Sequence, residues 1–427
     1  MSDTNRVMIT GFSALTACGE TSEETWASIL SGETGLREVS DESLSSWPHR
    51  LSGELKNFQP AKMLPDRKLL KVISRQDILG INAAMQAVEH SQLIPYRDTL
   101  ESPDVFNEDT AVYVGSPGNK YFQQYDFLPL VAKTDGDMQA FASQLFSEVH
   151  PMWLLRILPN NVLAYTGITY GFKGINQNVT NHAVSGTQAI IEAYHAIRSG
   201  LAERAVVVAY DVAAEPQGLF YYDMLGVISG RDLKPFDSEH DGTVLAEGAA
   251  ALVLESEASA RARSAVCYGE IAGGLATTEA NGLFSVEADG AHLSSLLTRL
   301  LEQQQLSAAD IGCIVAHGNG NPKSDMSEAA AIEAVFGTNA VPVTAFKWAM
   351  GHTVCASGIL DTVMAVHALQ ARCIPGIANL GDLATDCKGL NAKQVSRTLP
   401  EDKQCVVMIN RGFGGMNACL VIKSCDN

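Results

Sequence analysis

Seven short aliphatic runs punctuate the chain: Arg6–Thr10, Ala111–Val114, Ala205–Ala209, Ala250–Leu254, Ile311–Ala316, Cys405–Ile409 and Ala418–Ile422. Each is too short for a helix and stops at turn-forming or polar residues, so each predicts a strand. Their near-continuous apolar character, without polar alternation, predicts strands covered on both faces. Between them lie stretches with helical periodicity, including Thr187–Ser199 and Gly358–Ala371. The alternation predicts an α/β fold in which helices pack on mostly buried sheets.

Two of these segments echo one another. Ala183-Val-Ser-Gly-Thr187 and the helix after it align without a gap on Cys355-Ala-Ser-Gly-Ile359 and its helix. Ser185/Ser357, Gly186/Gly358, Ala193/Ala365, His195/His367 and Ala196/Ala368 coincide. The echo is either a coincidence of small-residue helices or a duplicated α/β unit in which each copy gives a helix N-terminus to one shared site. His195 and His367, well inside the helices, are expected to be packing residues. The polar segment Glu255–Ser264 reads as the seam between the halves, dividing the chain into 1–260 and 261–427, with a new strand near Tyr268. Residues 119–152 read as an irregular, aromatic insertion over the core.

Composition narrows the class. A chain of 427 residues, 46% hydrophobic and 18% charged, can bury one large core or two medium ones. A formal net charge of −18 excludes a general nucleic-acid binder, which needs clustered Lys and Arg at the phosphates. No charged-then-apolar leader and no apolar run of membrane-spanning length is visible, so a cytoplasmic protein is expected. The nine cysteines are scattered and form no C-x-x-C pair; they read as small buried residues, neither zinc ligands nor a disulfide framework. One basic cluster, Lys62, Arg67, Lys68, Lys71 and Arg75, interrupts the acidic background. It is either a solvated helix face or a dock for an acidic partner.

Candidate chemistry concentrates in the C-terminal half. His317 follows the strand Ile311–Ala316 and enters a glycine loop, with Asp325 and Glu328 eight and eleven residues on. Strand ends are where α/β sheets present catalytic groups. Lys347-Trp-Ala-Met-Gly-His352 leads into the small-residue helix, and Asn410-Arg-Gly-Phe413-Gly-Gly415 forms a glycine-rich turn between two strands. The carboxylate spacing does not fit a zinc helix, and no catalytic metal is expected.

Together these segments resemble the β-ketoacyl-acyl-carrier-protein synthases of type II fatty-acid and polyketide synthesis, over nearly the whole chain. Arg6-Val-Met-Ile-Thr-Gly-Phe12, Pro235-Phe-Asp237, Asp241-Gly242 and Ala246-Glu-Gly-Ala249 match the family's N-terminal signatures. The resemblance implies a thiolase-like fold of two duplicated α/β halves in αβαβα layers, and a dimer of like or unlike subunits. It implies an acyl carrier protein as partner, and no bound cofactor, because phosphopantetheine arrives on the carrier. His317 and His352 match the family's catalytic histidines, with Lys347, Asp325 and Glu328 as supporting charges and Asp361 where glutamate is usual. Phe413 matches the gatekeeping residue, and its amide, with that of residue 183, the oxyanion donors. Asn319 and Asn321 fall where the family has pantetheine-contacting threonines. The implied activity is decarboxylative condensation of an acyl group with malonyl carrier protein.

One position breaks the pattern. Thr180-Asn-His-Ala183-Val-Ser-Gly-Thr187 puts alanine where the family keeps its nucleophilic cysteine, and a methyl group cannot form a thioester. Either Ala183 was introduced into an otherwise intact enzyme, or the chain is a subunit without a nucleophile, like the chain-length factors that pair with an active ketosynthase. The intact histidine and lysine set fits the first reading; His182, Val184, Asn319, Asn321 and Arg411 fit the second. His182 has the chemistry of a base but is expected to pack. A purely structural protein would not keep the whole set, and degradative thiolases use a Cys–His–Cys arrangement without the double-histidine spacing.

Overall fold

The computed structural model describes residues 6–40, 42–118 and 125–425. Its first half runs β1 (Val7–Leu15), α1 (Arg75–His90), β2 (Thr110–Gly115), α2 (Asn161–Tyr170), β3 (Asn176–Val179), α3 (Ser185–Arg198), β4 (Arg204–Val212), α4 (Pro216–Met224) and β5 (Glu247–Ser256). The second runs β6 (Gly269–Thr278), α5 (Ala291–Gln303), β7 (Ile311–Val315), α6 (Pro322–Phe336), β8 (Pro342–Thr344), α7 (Ser357–Gln370), β9 (Asn391–Ala392), β10 (Cys405–Gly412) and β11 (Met416–Lys423).

The halves repeat one topology. Outward from the centre the first half is ordered β1-β5-β4-β2-β3, and the second β6-β11-β10-β7-β8-β9. In each, the first two pairings are antiparallel and the next two parallel. The two sets join through a short antiparallel ladder of Val7–Ile9 against Gly269–Ile271. Helices α3 and α7 lie between them: α3 touches β2 and β4 on one side and β6 and β11 on the other, while α1 and α2, and α5 and α6, cover the outer faces. This is a five-layered αβαβα arrangement, and the echo between the segments at Ser185 and Ser357 is the duplication it suggested.

The two central helices approach closely because each has glycine as its second residue. A Cβ on Gly186 would lie 2.9 Å from the Cys355 carbonyl, and one on Gly358 would lie 2.0 Å from Thr187 Oγ1. Both helix N-termini therefore open side by side at the carboxyl ends of the parallel strands, where the site forms.

All seven predicted strands are present. β1 runs on past Thr10 to Leu15, through a bulge at Gly11 whose missing side chain admits the backbone and side chain of Ser91. The seam is helical over Glu257–Ala262, but it is no solvated linker: buried Glu255 pairs with Arg263 and accepts from Thr10 Oγ1 at 2.6 Å. The insertion is not irregular. Residues 119–124 lie outside the described residues, but helices span Leu128–Lys133 and Met138–Glu148, the second capped by Asp137. His367 packs as expected, stacked on Trp26 and edge-on to Phe12; His195 instead faces solvent. All nine cysteines are free, and six are buried. Among the described residues no helix is long and apolar enough to cross a membrane.

Candidate active site

β7 delivers His317 to the start of a turn that leads into α6. The backbone N–H groups of His317 and Gly318 donate to the two oxygens of Glu328, at 2.7 and 3.0 Å, so one carboxylate on α6 clamps the loop. Asn410 Nδ2 lies 3.4 Å from His317 Nδ1. His352 follows the helical turn Lys347–Met350; its N–H donates to Val244 O at 2.7 Å, and its Nδ1 lies 3.1 Å from Ser357 Oγ. With Asn410 Nδ2 as the donor to Nδ1, the neutral His317 ring carries its proton on Nε2. The rings meet edge to face with centroids 5.2 Å apart, and both line one cavity of about 600 Å³.

Charge sets their state. Lys347 Nζ lies 2.8 Å from Asp361 Oδ2, with both side chains essentially inaccessible. Burial pushes the Asp361 carboxyl up, and Lys347 opposes it. Burial, and then the Lys347 charge and the neighbouring His352, hold His317 well below the usual imidazole range, so it is neutral near pH 7. Burial pushes Glu328 up to about 7, against the pull of Arg411 and the two amides it accepts from.

The supporting residues divide differently from the sequence expectation. Glu328 orients His317 through the backbone, while Lys347 pairs with Asp361. Asp325 does not reach the histidines: its Oδ2 accepts from Phe236 N at 2.8 Å and faces His240 Nδ1 at 3.0 Å, fixing the Pro235–Asp237 segment. Asn321 caps α6 by accepting from Lys323 and Ser324, Asn319 accepts from Asn321 N, and both asparagines line the cavity. Lys62, Arg67, Lys68 and Lys71 are exposed around a short helical turn. Arg75 leaves that cluster: it donates twice to buried Glu247, at 2.8 and 2.7 Å, and lies over the Phe58 ring.

Ala183 is fully buried in the turn between β3 and α3. The residue beside it is more consequential. His182 has a left-handed backbone, φ 51°, and stacks on Phe413 with centroids 4.3 Å apart and an interplanar angle of 19°. The Phe413 N–H donates to His182 Nδ1 at 3.1 Å, and His182 Nε2 lies 2.6 Å from Tyr222 Oη. His182 therefore does more than pack. Arg411, in β10, is buried against Glu279 at 2.9 Å and also donates to Asn417 and to the Ser324 carbonyl. Tyr222 and Glu279 gave no signal in the sequence; His182 could have been found from its place beside residue 183. Among the described residues no three His, Cys, Asp or Glu side chains converge as metal ligands would.

The arrangement brings two imidazoles, that of His317 neutral, to the wall of one cavity, which suits charge developing on a carbonyl oxygen. Residues 4–260 match the family described as beta-ketoacyl synthase, N-terminal domain, and residues 268–381 match its C-terminal domain. The 3-oxoacyl-[acyl-carrier-protein] synthase 2 of Synechocystis is 27% identical over 427 residues, covering 98% of each chain; that of Coxiella burnetii is 27% identical over 430 residues, again 98% of each. Two solved structures share the fold. The ishigamide ketosynthase/chain length factor superposes with a TM-score of 0.87 at 23% identity, over 99% of this chain and 100% of that one. The ketosynthase complex AntDE:AntF, with its type II polyketide acyl-carrier protein, gives 0.83 at 20% identity, over 99% and 100%.

Proposed function

The chain belongs to the β-ketoacyl synthase family, and from that premise we propose that it acts on malonyl groups held on an acyl carrier protein in type II fatty-acid or polyketide synthesis and carries out the decarboxylating half of the family's condensation. His317 and His352 donate from Nε2 to the thioester oxygen. As the bond to the carboxylate breaks, carbon dioxide leaves and the electron pair moves toward that oxygen as an enolate, which the two N–H groups stabilise. The carbon then takes a proton from water, giving acetyl carrier protein. Burial and the Lys347 charge keep the His317 imidazole neutral, and Lys347 is itself compensated by Asp361.

The observation that carries this reading is the pair of buried histidines on one cavity, backed by a fully buried Lys347–Asp361 ion pair. Position 183 is read as the acyl-accepting position, and with alanine there no acyl-enzyme forms. The test is conversion of malonyl to acetyl carrier protein by the purified chain, followed by intact mass of the carrier. It should occur in the unmodified protein and fall in His317→Ala and His352→Ala; absence of conversion refutes the reading.

One observation favours a second reading, a subunit that pairs with an active ketosynthase: the Phe413 amide is already bonded to His182. Exposed Met138, Phe146, Leu154 and Ile168 support association with a second ketosynthase-like chain, identical or not. Exposed Lys62, Arg67, Lys68 and Lys71 support docking of an acidic carrier. We read the functional halves as 1–260 and 261–427, cytoplasmic, with phosphopantetheine brought by the carrier and no resident cofactor.

A further inference from the structure

We propose that His182 is a specificity-determining plug, which closes the acyl-accepting side of the site and confines the cavity to the malonyl-binding side. The inference rests on position 183 being the acyl-accepting position, and the argument is geometric. On this side the cavity wall is made by His182, Tyr222, Gly412 and Phe413, with fully buried Ala183 behind them. Gly412 packs so closely that a Cβ there would lie 3.1 Å from His182 Nδ1 and 3.2 Å from Ala183 N. The backbone at 183 is thus pressed against the His182–Gly412 wall, and the Ala183 methyl belongs to the apolar cluster of Leu219, Ile228, Leu245, Val354 and Cys355, off the cavity lining.

The same imidazole takes the hydrogen-bonding capacity that an acyl group would need. Because Phe413 N–H donates to Nδ1, that nitrogen carries no proton, and the neutral ring has its proton on Nε2, toward Tyr222 Oη. An amide aimed at an oxyanion stabilises transfer only if it is vacant when the tetrahedral carbon forms. Stacking on Phe413 and Tyr222 holds the ring in place. The histidine does this from a left-handed backbone that non-glycine residues seldom adopt, which the surroundings must enforce.

Supplying a thiol alone should therefore not open the site. In Ala183→Cys, acyl transfer requires the thiolate to attack the carbonyl carbon of an acyl thioester. The new carbon–sulfur bond forms, the bond to pantetheine sulfur breaks, and that sulfur leaves with a proton. Rates of this step are read by intact-protein mass with acetyl- and octanoyl-pantetheine, for Ala183→Cys and for Ala183→Cys combined with His182→Gly. Glycine keeps the φ of 51° without a side chain. The double variant should acylate at least about a hundred-fold faster, the low end for regaining an oxyanion donor. Equal rates, a faster single variant, or no acylation of either overturns the proposal. In the unmodified chain, nitrogen-15 NMR of the histidines should show His182 with an unprotonated, hydrogen-bonded Nδ1, assigned by loss of the signal in His182→Gly; a protonated Nδ1 overturns the proposal without relying on the fold of the variants. Neither result depends on decarboxylation, so failure here is distinct from failure of the proposed activity.

Discussion

Replacing Arg411 by leucine tests how the cavity wall is held. The guanidinium donates from Nε to Asn417 Oδ1 at 2.8 Å, from one terminal nitrogen to the Ser324 carbonyl at 3.0 Å, and from the other to Glu279 Oε1 at 2.9 Å. The two side chains of the ion pair are 6% and 1% exposed. Removing one partner of a buried pair costs about 3–5 kcal/mol, because the other charge stays behind uncompensated. Glu279 keeps two donors, Asn417 Nδ2 at 3.1 Å and the Glu287 N–H at 2.9 Å, so the lower end, about 3 kcal/mol, applies. Arg411→Leu with Glu279→Leu removes both charges and should cost about 2 kcal/mol less than the sum of the single changes, a coupling typical of contacting charged groups. Urea-unfolding midpoints followed by tryptophan fluorescence measure this. A single-variant loss below about 1 kcal/mol, or strict additivity in the double variant, refutes the reasoning.

Three further outcomes are expected. Glu328 has a folded pKa of about 7 against an ordinary 4.5, so the folded state holds the proton longer. Its contribution is complete below pH 4.5 and is lost as pH rises through 7; wild type should lose about 3 kcal/mol relative to Glu328→Gln across that window, measured by denaturation at stepped pH. A constant difference contradicts the assignment. Charge reversal at Lys68 and Lys71 together should weaken carrier-protein binding and flatten its salt dependence in titration calorimetry, whereas Arg75→Ala should chiefly lower thermal stability by leaving the buried Glu247 carboxylate without its two Arg75 donors. Unchanged affinity in the double reversal returns the cluster to an ordinary solvated surface.

How far the fold was legible follows from where apolar side chains go. Strands buried on both faces, such as Ala205–Ala209 and Cys405–Ile409, show as aliphatic runs whatever their neighbours. β3, with the polar sequence Asn-Gln-Asn-Val on the sheet edge, and the two-residue β9 leave no such trace. The helix Met138–Glu148 was hidden because Met138 and Phe146 point outward, which breaks the pattern expected of a helix lying on its own core. At the site, His317, His352 and Lys347 were readable because each sits in a local motif at a strand or helix end. The role of His182 was not, because its partners Tyr222 and Phe413 lie 40 and 231 residues away in the chain. Likewise Arg75 looked like one of five surface cations until the fold brought Glu247 to it across 172 residues.

The central claim is that this chain, with alanine at 183, still breaks the carbon–carbon bond of a malonyl thioester through its paired histidines. The direct measurement is the rate of acetyl carrier protein formation from malonyl carrier protein by protein free of host synthase, in the unmodified chain and in His352→Ala. Conversion should be measurable and should fall by roughly a hundred- to a thousand-fold when His352 is lost, the scale of removing one donor from a developing oxyanion. No conversion, or a rate untouched by His352→Ala, contradicts it.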